Sequence, residues 1–156
     1  MKNIILILCI SLISIAYSCK QTDITESNGL TLEDYKFAIP GESGGLAVKD
    51  DQFFKKGDVV CLILTNVGKF KKGEDGLNKF EMSVEVTDSD GKVVYSQSDM
   101  LGENGHVLLP NDIAVSPYGV FNSSTEMVSG RYLFKLTIFD KIGIGKLSKT
   151  VTFNLN

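Results

Sequence analysis

Residues 131–139 read RYLFKLTIF. Tyr132, Phe134, Leu136 and Ile138 recur at every second position, with Arg131, Lys135 and Thr137 among the residues between them. A period of two puts one set on one side of an extended chain and the other set opposite, so this stretch is a strand with a buried and a wet face. Residues 80–87 (FEMSVEVT) repeat the pattern, with Phe80, Met82, Val84 and Val86 inward and Glu81, Ser83, Glu85 and Thr87 outward. Residues 149–155 (KTVTFNL) do so again through Val151, Phe153 and Leu155. One-sided strands of this kind belong to antiparallel sheets.

Working outward, residues 59–65 (VVCLILT) are apolar on both faces and predict a central strand. Asp88-Ser89-Asp90-Gly91 is a hairpin turn leading into a shorter strand at 92–96. Residues 35–39 read as the first strand, closed off by Pro40-Gly41. Short edge strands are expected at 106–109 and 113–115, on either side of Pro110. Pro117 heads a turn or loose connection, and Gly130 restarts regular structure. No stretch carries a sustained helical period. Amphipathic strands without helices to cover them need a second sheet, so the chain is expected to be all-β, a sandwich of about seven antiparallel strands. A small closed barrel would read much the same.

The chain has 156 residues, with 16 Lys and Arg against 19 Asp and Glu, a formal charge of -3. Of its residues 43% are apolar, 15 are Gly, 3 are Pro, and none is Trp. This balance suits one domain. It excludes a disordered polyampholyte, a collagen-like repeat and a strongly basic nucleic-acid binder.

Residues 1–18 stand apart. Lys2 precedes the apolar run IILILCI at 4–10, which continues through Leu12, Ile13, Ile15 and Ala16. The run is too short and too soon broken by polar residues for a comfortable membrane span. It ends in Ala16-Tyr17-Ser18-Cys19, which resembles the lipobox of bacterial lipoproteins, with Ala16 where Leu is usual. The resemblance implies cleavage before Cys19, lipid attachment at its sulfur, and a membrane partner held through that lipid. Several acyl chains give stable anchoring where one is marginal. Residues 1–18 are then a lipoprotein signal peptide, 19–30 a flexible tether and 31–156 the β-sandwich domain. Without Lys2 the chain keeps 15 basic side chains against 19 acidic ones.

The stretch from Gly130-Arg131-Tyr132 through Asp140, the turn KIGIGK at 141–146 and the last strand resembles the final hairpin of immunoglobulin-like and fibronectin type III-like domains of bacterial surface proteins. That resemblance implies an immunoglobulin-like sandwich in which Tyr132 ties down the neighbouring loop. With the lipobox-like start, the whole is similar to the small sandwich lipoproteins of Bacteroides-like bacteria. It implies a location at the outer membrane or cell surface, and it carries no catalytic residue onto this chain.

The chemistry-bearing residues are sparse. His106 is the lone histidine, so two- and three-histidine metal sites are excluded by count. Of three cysteines, Cys9 lies in the signal, Cys19 takes the lipid, and Cys61 remains on an apolar strand, where it reads as a small buried hydrophobe. Asp88, Asp90 and Asp140 are sheet-end carboxylates that could collect calcium, but hairpin chemistry accounts for the first two. Glu81 and Glu85 share one strand face and read as solvent decoration rather than a glycosidase pair. The segment 66–79 holds Lys69, Phe70, Lys71 and Lys72, a candidate ligand-binding cluster for a glycan, a peptide or an anionic surface. The sequon Asn122-Ser123-Ser124 reads as chance.

The expectation is therefore a non-enzymatic envelope module with no cofactor and no metal. Its recognition surface would be the long loops 66–79 and 102–129, and its partner a glycan or an envelope protein. A small glycan hydrolase and a subunit of a larger surface assembly are the alternatives.

Overall fold

The computed structural model describes residues 21–109 and 115–156. The signal peptide, Cys19 and most of the strand expected at 113–115 lie outside the described residues. The elements in chain order are β1 (Asp23–Asn28), β2 (Asp34–Pro40), β3 (Leu46–Lys49), β4 (Phe53–Phe54), β5 (Val59–Thr65), β6 (Asn78–Thr87) and β7 (Val93–Gln97). A 3-10 turn (Gly102–Gly105), β8 (His106–Val107), β9 (Tyr118–Asn122), β10 (Gly130–Asp140) and β11 (Lys146–Leu155) follow.

Two sheets result. The first runs β1-β11-β10-β6-β7, with β4 beside β11 and β8 beside β6; the second runs β3-β2-β5-β9. Every pairing is antiparallel except the short β4–β11 contact. The two sheets pack face to face as a sandwich, with β6, β10 and β11 at the middle of one and β2 and β5 at the middle of the other. The alternation read in 131–139 holds: Tyr132, Phe134, Leu136 and Ile138 are all buried in the core.

Phe153 of β11 sits at the centre. Its ring lies 6.2 Å from Phe37 and 6.1 Å from Phe121 of the second sheet. Within its own sheet it meets Phe54 at 5.9 Å, Tyr132 at 5.7 Å and Phe134 at 6.4 Å. Such spacings are within the range of favourable aromatic contacts. Gly119 of β9 explains how closely the sheets approach. A Cβ there would meet Val84 at 2.5 Å, Leu136 at 3.2 Å and Phe134 at 3.3 Å.

Four of the eleven described strands were not expected from the sequence. β9 holds Gly119 just after Pro117, a pair that signals a turn, yet the glycine is there because a side chain does not fit. β3 and β4 are short. β1 corrects the tether reading for residues 23–28: this stretch pairs with β11 from Asp23↔Val151 to Asn28↔Lys146. All six residues are exposed, so no hydrophobic alternation marks the strand. Its side chains still do work at the inner edge. Lys149, 5% exposed, bonds Asp23 and Thr25 through its ammonium, which lies 4.1 Å from the Tyr35 ring centre. The Tyr35 hydroxyl donates to Asp23 at 2.7 Å. Burial, then the bond to Asp23, pushes the Tyr35 phenol up to about 12. Burial alone would raise the Asp23 carboxyl, but its bonds from Lys149 and Tyr35 hold it below the usual range.

Cys61 is buried, as expected, but not between the sheets. Val60, Leu62 and Leu64 point into the core, so Cys61 faces the outer side of the second sheet, beside Ala38 and Val120.

Candidate functional site

The register sorts the loops into two poles. β10 runs from Gly130 to Asp140 and β6 runs back beside it, so the turn 141–145 and the segment 66–79 share one pole. The hairpin turn 88–91 and the connection 123–129 share the other. The segment 102–129 reaches both poles: Val107 and Val115 pair with Asn78 and Val67 of the segment 66–79 at the first, and 123–129 lies at the second.

At the first pole, carboxylates bind backbone. Asp140, 3% exposed, accepts the N–H of Lys71 (2.9 Å), Ile142 (3.0 Å) and Gly143 (2.9 Å). A Cβ at Gly143 would lie 2.3 Å from the Asp140 Oδ2. Glu81, expected to face solvent, is 6% exposed and corrects that reading. It accepts the N–H of Met82 (2.7 Å), Leu101 (2.8 Å) and Gly102 (2.9 Å), tying the 3-10 turn to β6. Burial opposes the charge, but these three bonds and the nearby Lys141 ammonium hold the carboxyl below its usual range. His106 Nε2 lies 2.9 Å from Asp75 Oδ2, joining β8 to the segment 66–79. Hydrogen bonds led by the Leu77 N–H keep Asp75 low.

The lysine cluster is split in character. Lys69, Lys71 and Lys72 are exposed, and the Phe70 ring is half-buried against Phe80, 5.3 Å between centres. Asp88 Oδ1 accepts the N–H of Asp90 (3.0 Å) and Lys92 (2.9 Å), as hairpin chemistry requires. Among the described residues, no group of three or more His, Cys, Asp and Glu is placed to hold a metal.

The second pole holds a groove of about 500 Å³ between the turn 88–91, the edge of β7 and the connection leading into β10. Tyr95, Phe121 and Tyr132 line it, Tyr95 half-buried and the other two buried in the core, with Tyr95 and Phe121 5.5 Å apart. Asp88, Asp90, Asn122, Glu126 and Arg131 stand around it. Its wall is fixed at both ends. Ser123 Oγ donates to the Asp58 carbonyl at 2.8 Å and accepts from Gly57 N–H at 2.9 Å. At the far end the Tyr132 hydroxyl donates to the Val128 carbonyl at 2.7 Å. The Tyr95 hydroxyl donates to Gln97 at 2.6 Å, which orients its ring. A partly exposed aromatic ring, a polar rim and pinned walls make a largely pre-formed site of the size small ligands use. Sequence reasoning named the 102–129 segment but missed Tyr95, whose strand carried no sign of bordering a groove.

No family model and no curated protein matches this chain. Among solved structures, it is similar to the C-terminal domain of wzt, with a TM-score of 0.55 and 12% identity. The match covers 86% of this chain and 78% of that one, and at this identity the likeness is one of fold.

Proposed function

We propose that the protein is a non-enzymatic, lipid-anchored binding module of a bacterial envelope, and that its ligand is a glycan seated in the groove between the turn 88–91 and the connection 123–129. The observation that carries this reading is the groove's composition. Sugar rings present C–H faces that pack on aromatic rings and hydroxyls that bond to carboxylates and amides. The half-buried Tyr95 ring, backed by Phe121, and the rim of Asp88, Asn122 and Glu126 offer both. The residues considered for hydrolysis lie elsewhere: Glu81 binds backbone at the opposite pole and His106 pairs with Asp75 there. Lipid attachment rests on the Ser18-Cys19 junction after the apolar run.

A protein partner is the second reading, favoured by β7 and β9, which are both edge strands, and by Val93 and Val94, 49% and 39% exposed on β7. An array of bacterial and plant oligosaccharides probed with the mature chain tests the first reading. Binding to a defined glycan, lost on Tyr95→Ala, supports it. Silence across the array, with recovery of one stoichiometric protein partner from native membranes, favours the second.

A further inference from the structure

The chain is held to the sandwich from Gln21 onward. The Gln21 amide bonds the Gln52 side chain. Thr22 N–H donates to Thr152 Oγ1 at 2.8 Å, and the Thr22 carbonyl accepts from Thr152 N–H at 2.9 Å. Lys20 alone stands between Gln21 and Cys19. Two residue steps span at most about 7 Å. A lipid on Cys19 therefore fixes not only the protein but also the pole that meets the bilayer.

That pole carries an exposed aromatic side chain. Phe53 is 56% exposed, while its neighbour Phe54 is 1% exposed in the core. Phe53 lines a shallow depression of about 340 Å³ together with Gln21, Gln52, Arg131 and Asn154. Its backbone is rigid. β4 lies parallel to β11, Asn154 N–H donates to the Gln52 carbonyl at 2.8 Å, and Asn156 N–H donates to the Phe54 carbonyl at 2.9 Å. Phe53 N–H donates to Asp51 at 3.0 Å. A ring held outward on fixed backbone beside the anchor point suits the headgroup boundary of a bilayer, where aromatic side chains are favourable.

We infer that the pole bearing Gln21 and Phe53 is a membrane-docking surface, with the Phe53 ring lying in the interfacial layer of the bilayer that holds the lipid. The inference rests on the lipid-anchoring reading. The occupant is the bilayer itself, because a lipid on Cys19 stands no more than two residue steps from Gln21. Arg131 lines both this depression and the groove, so the groove opens beside the docked face.

The chain lacks Trp, so Phe53→Trp introduces a single reporter. The full protein, extracted from native membranes and reconstituted in phosphatidylethanolamine–phosphatidylcholine vesicles, is compared with Leu108→Trp. Leu108 is 64% exposed and follows β8 at the opposite pole. The indole at position 53 is expected to shift to the blue and to lose about half its emission to lipids brominated near the headgroup. The indole at 108 should do neither. The mass of the N-terminal peptide is measured on the same sample. An acylated Cys19 with an unquenched, water-like indole at 53 overturns docking and leaves the anchor standing; an unacylated terminus overturns both.

Discussion

The Tyr132 hydroxyl donates to the backbone carbonyl of Val128, 2.7 Å away and four residues earlier in the chain. The ring stacks on Phe153 with 5.7 Å between centres, so one end of the side chain belongs to the core and the other closes the groove wall. A buried phenol must find such a partner, and burial pushes its pKa up.

Tyr132→Phe keeps the ring and loses the bond, and should cost about 1–1.5 kcal/mol. Tyr132→Ala also opens a cavity beside Phe153 and should cost about 3–5 kcal/mol. Urea titration of the two variants reads both numbers. Equal, small losses would mean that neither the bond nor the ring holds this end of the sandwich together.

Glu81 couples stability to pH. Its folded carboxyl lies below the ordinary value of 4.5, so its contribution is complete above that pH and fades as pH falls through the lowered folded value. Glu81→Gln places an amide among three N–H donors and should cost about 1–3 kcal/mol at neutral pH. Acid unfolding followed by circular dichroism should be shallower in the variant. An unchanged acid limb contradicts the assignment.

Gly119 tests the packing of the two sheets. Gly119→Ala drives a methyl toward Val84, Leu136 and Phe134 and should cost about 1–3 kcal/mol through overpacking. Val84→Ala in the same chain should recover part of the loss, since Val84 is the nearest obstacle at 2.5 Å. A thermal melt of the single and double variants decides it. Additive losses would place the obstacle elsewhere.

Most of the fold was legible because its central strands carry a buried and a wet face. Residues 131–139 and 80–87 announced β10 and β6 through alternation alone, and Tyr132 announced the bond to the connection before it. What stayed hidden lacked that signal for physical reasons. β1 is wet on both sides and held by backbone bonds, and β9 contains the glycine that close packing demands. Glu81 sits in outward phase and is buried only because a distant 3-10 turn folds over it. The groove was half legible: the 102–129 loop was named, but Tyr95 reaches it through a pairing of sheets that no local pattern encodes.

Cys61 should be slow to label in the folded protein and fast in denaturant, because burial covers the thiol and pushes its pKa up. Cys61→Ser puts a hydroxyl among Ala38, Val120 and their neighbours and should cost about 1–3 kcal/mol. Ellman's reagent and a denaturant titration suffice. Rapid native labelling would show that the outer face of the second sheet opens readily.

The proposed function stands on ligand binding in the groove lined by Tyr95, Phe121 and Tyr132. Its most direct test is an amide-resolved NMR titration of the mature chain with the best-binding oligosaccharide of the array. Shifts should concentrate at residues 88–95 and 121–131, with those at 66–79 unmoved and affinity falling at least about tenfold in Tyr95→Ala, or about 1.4 kcal/mol. Shifts centred on Lys69, Lys71 and Lys72, or binding indifferent to Tyr95→Ala, would contradict it.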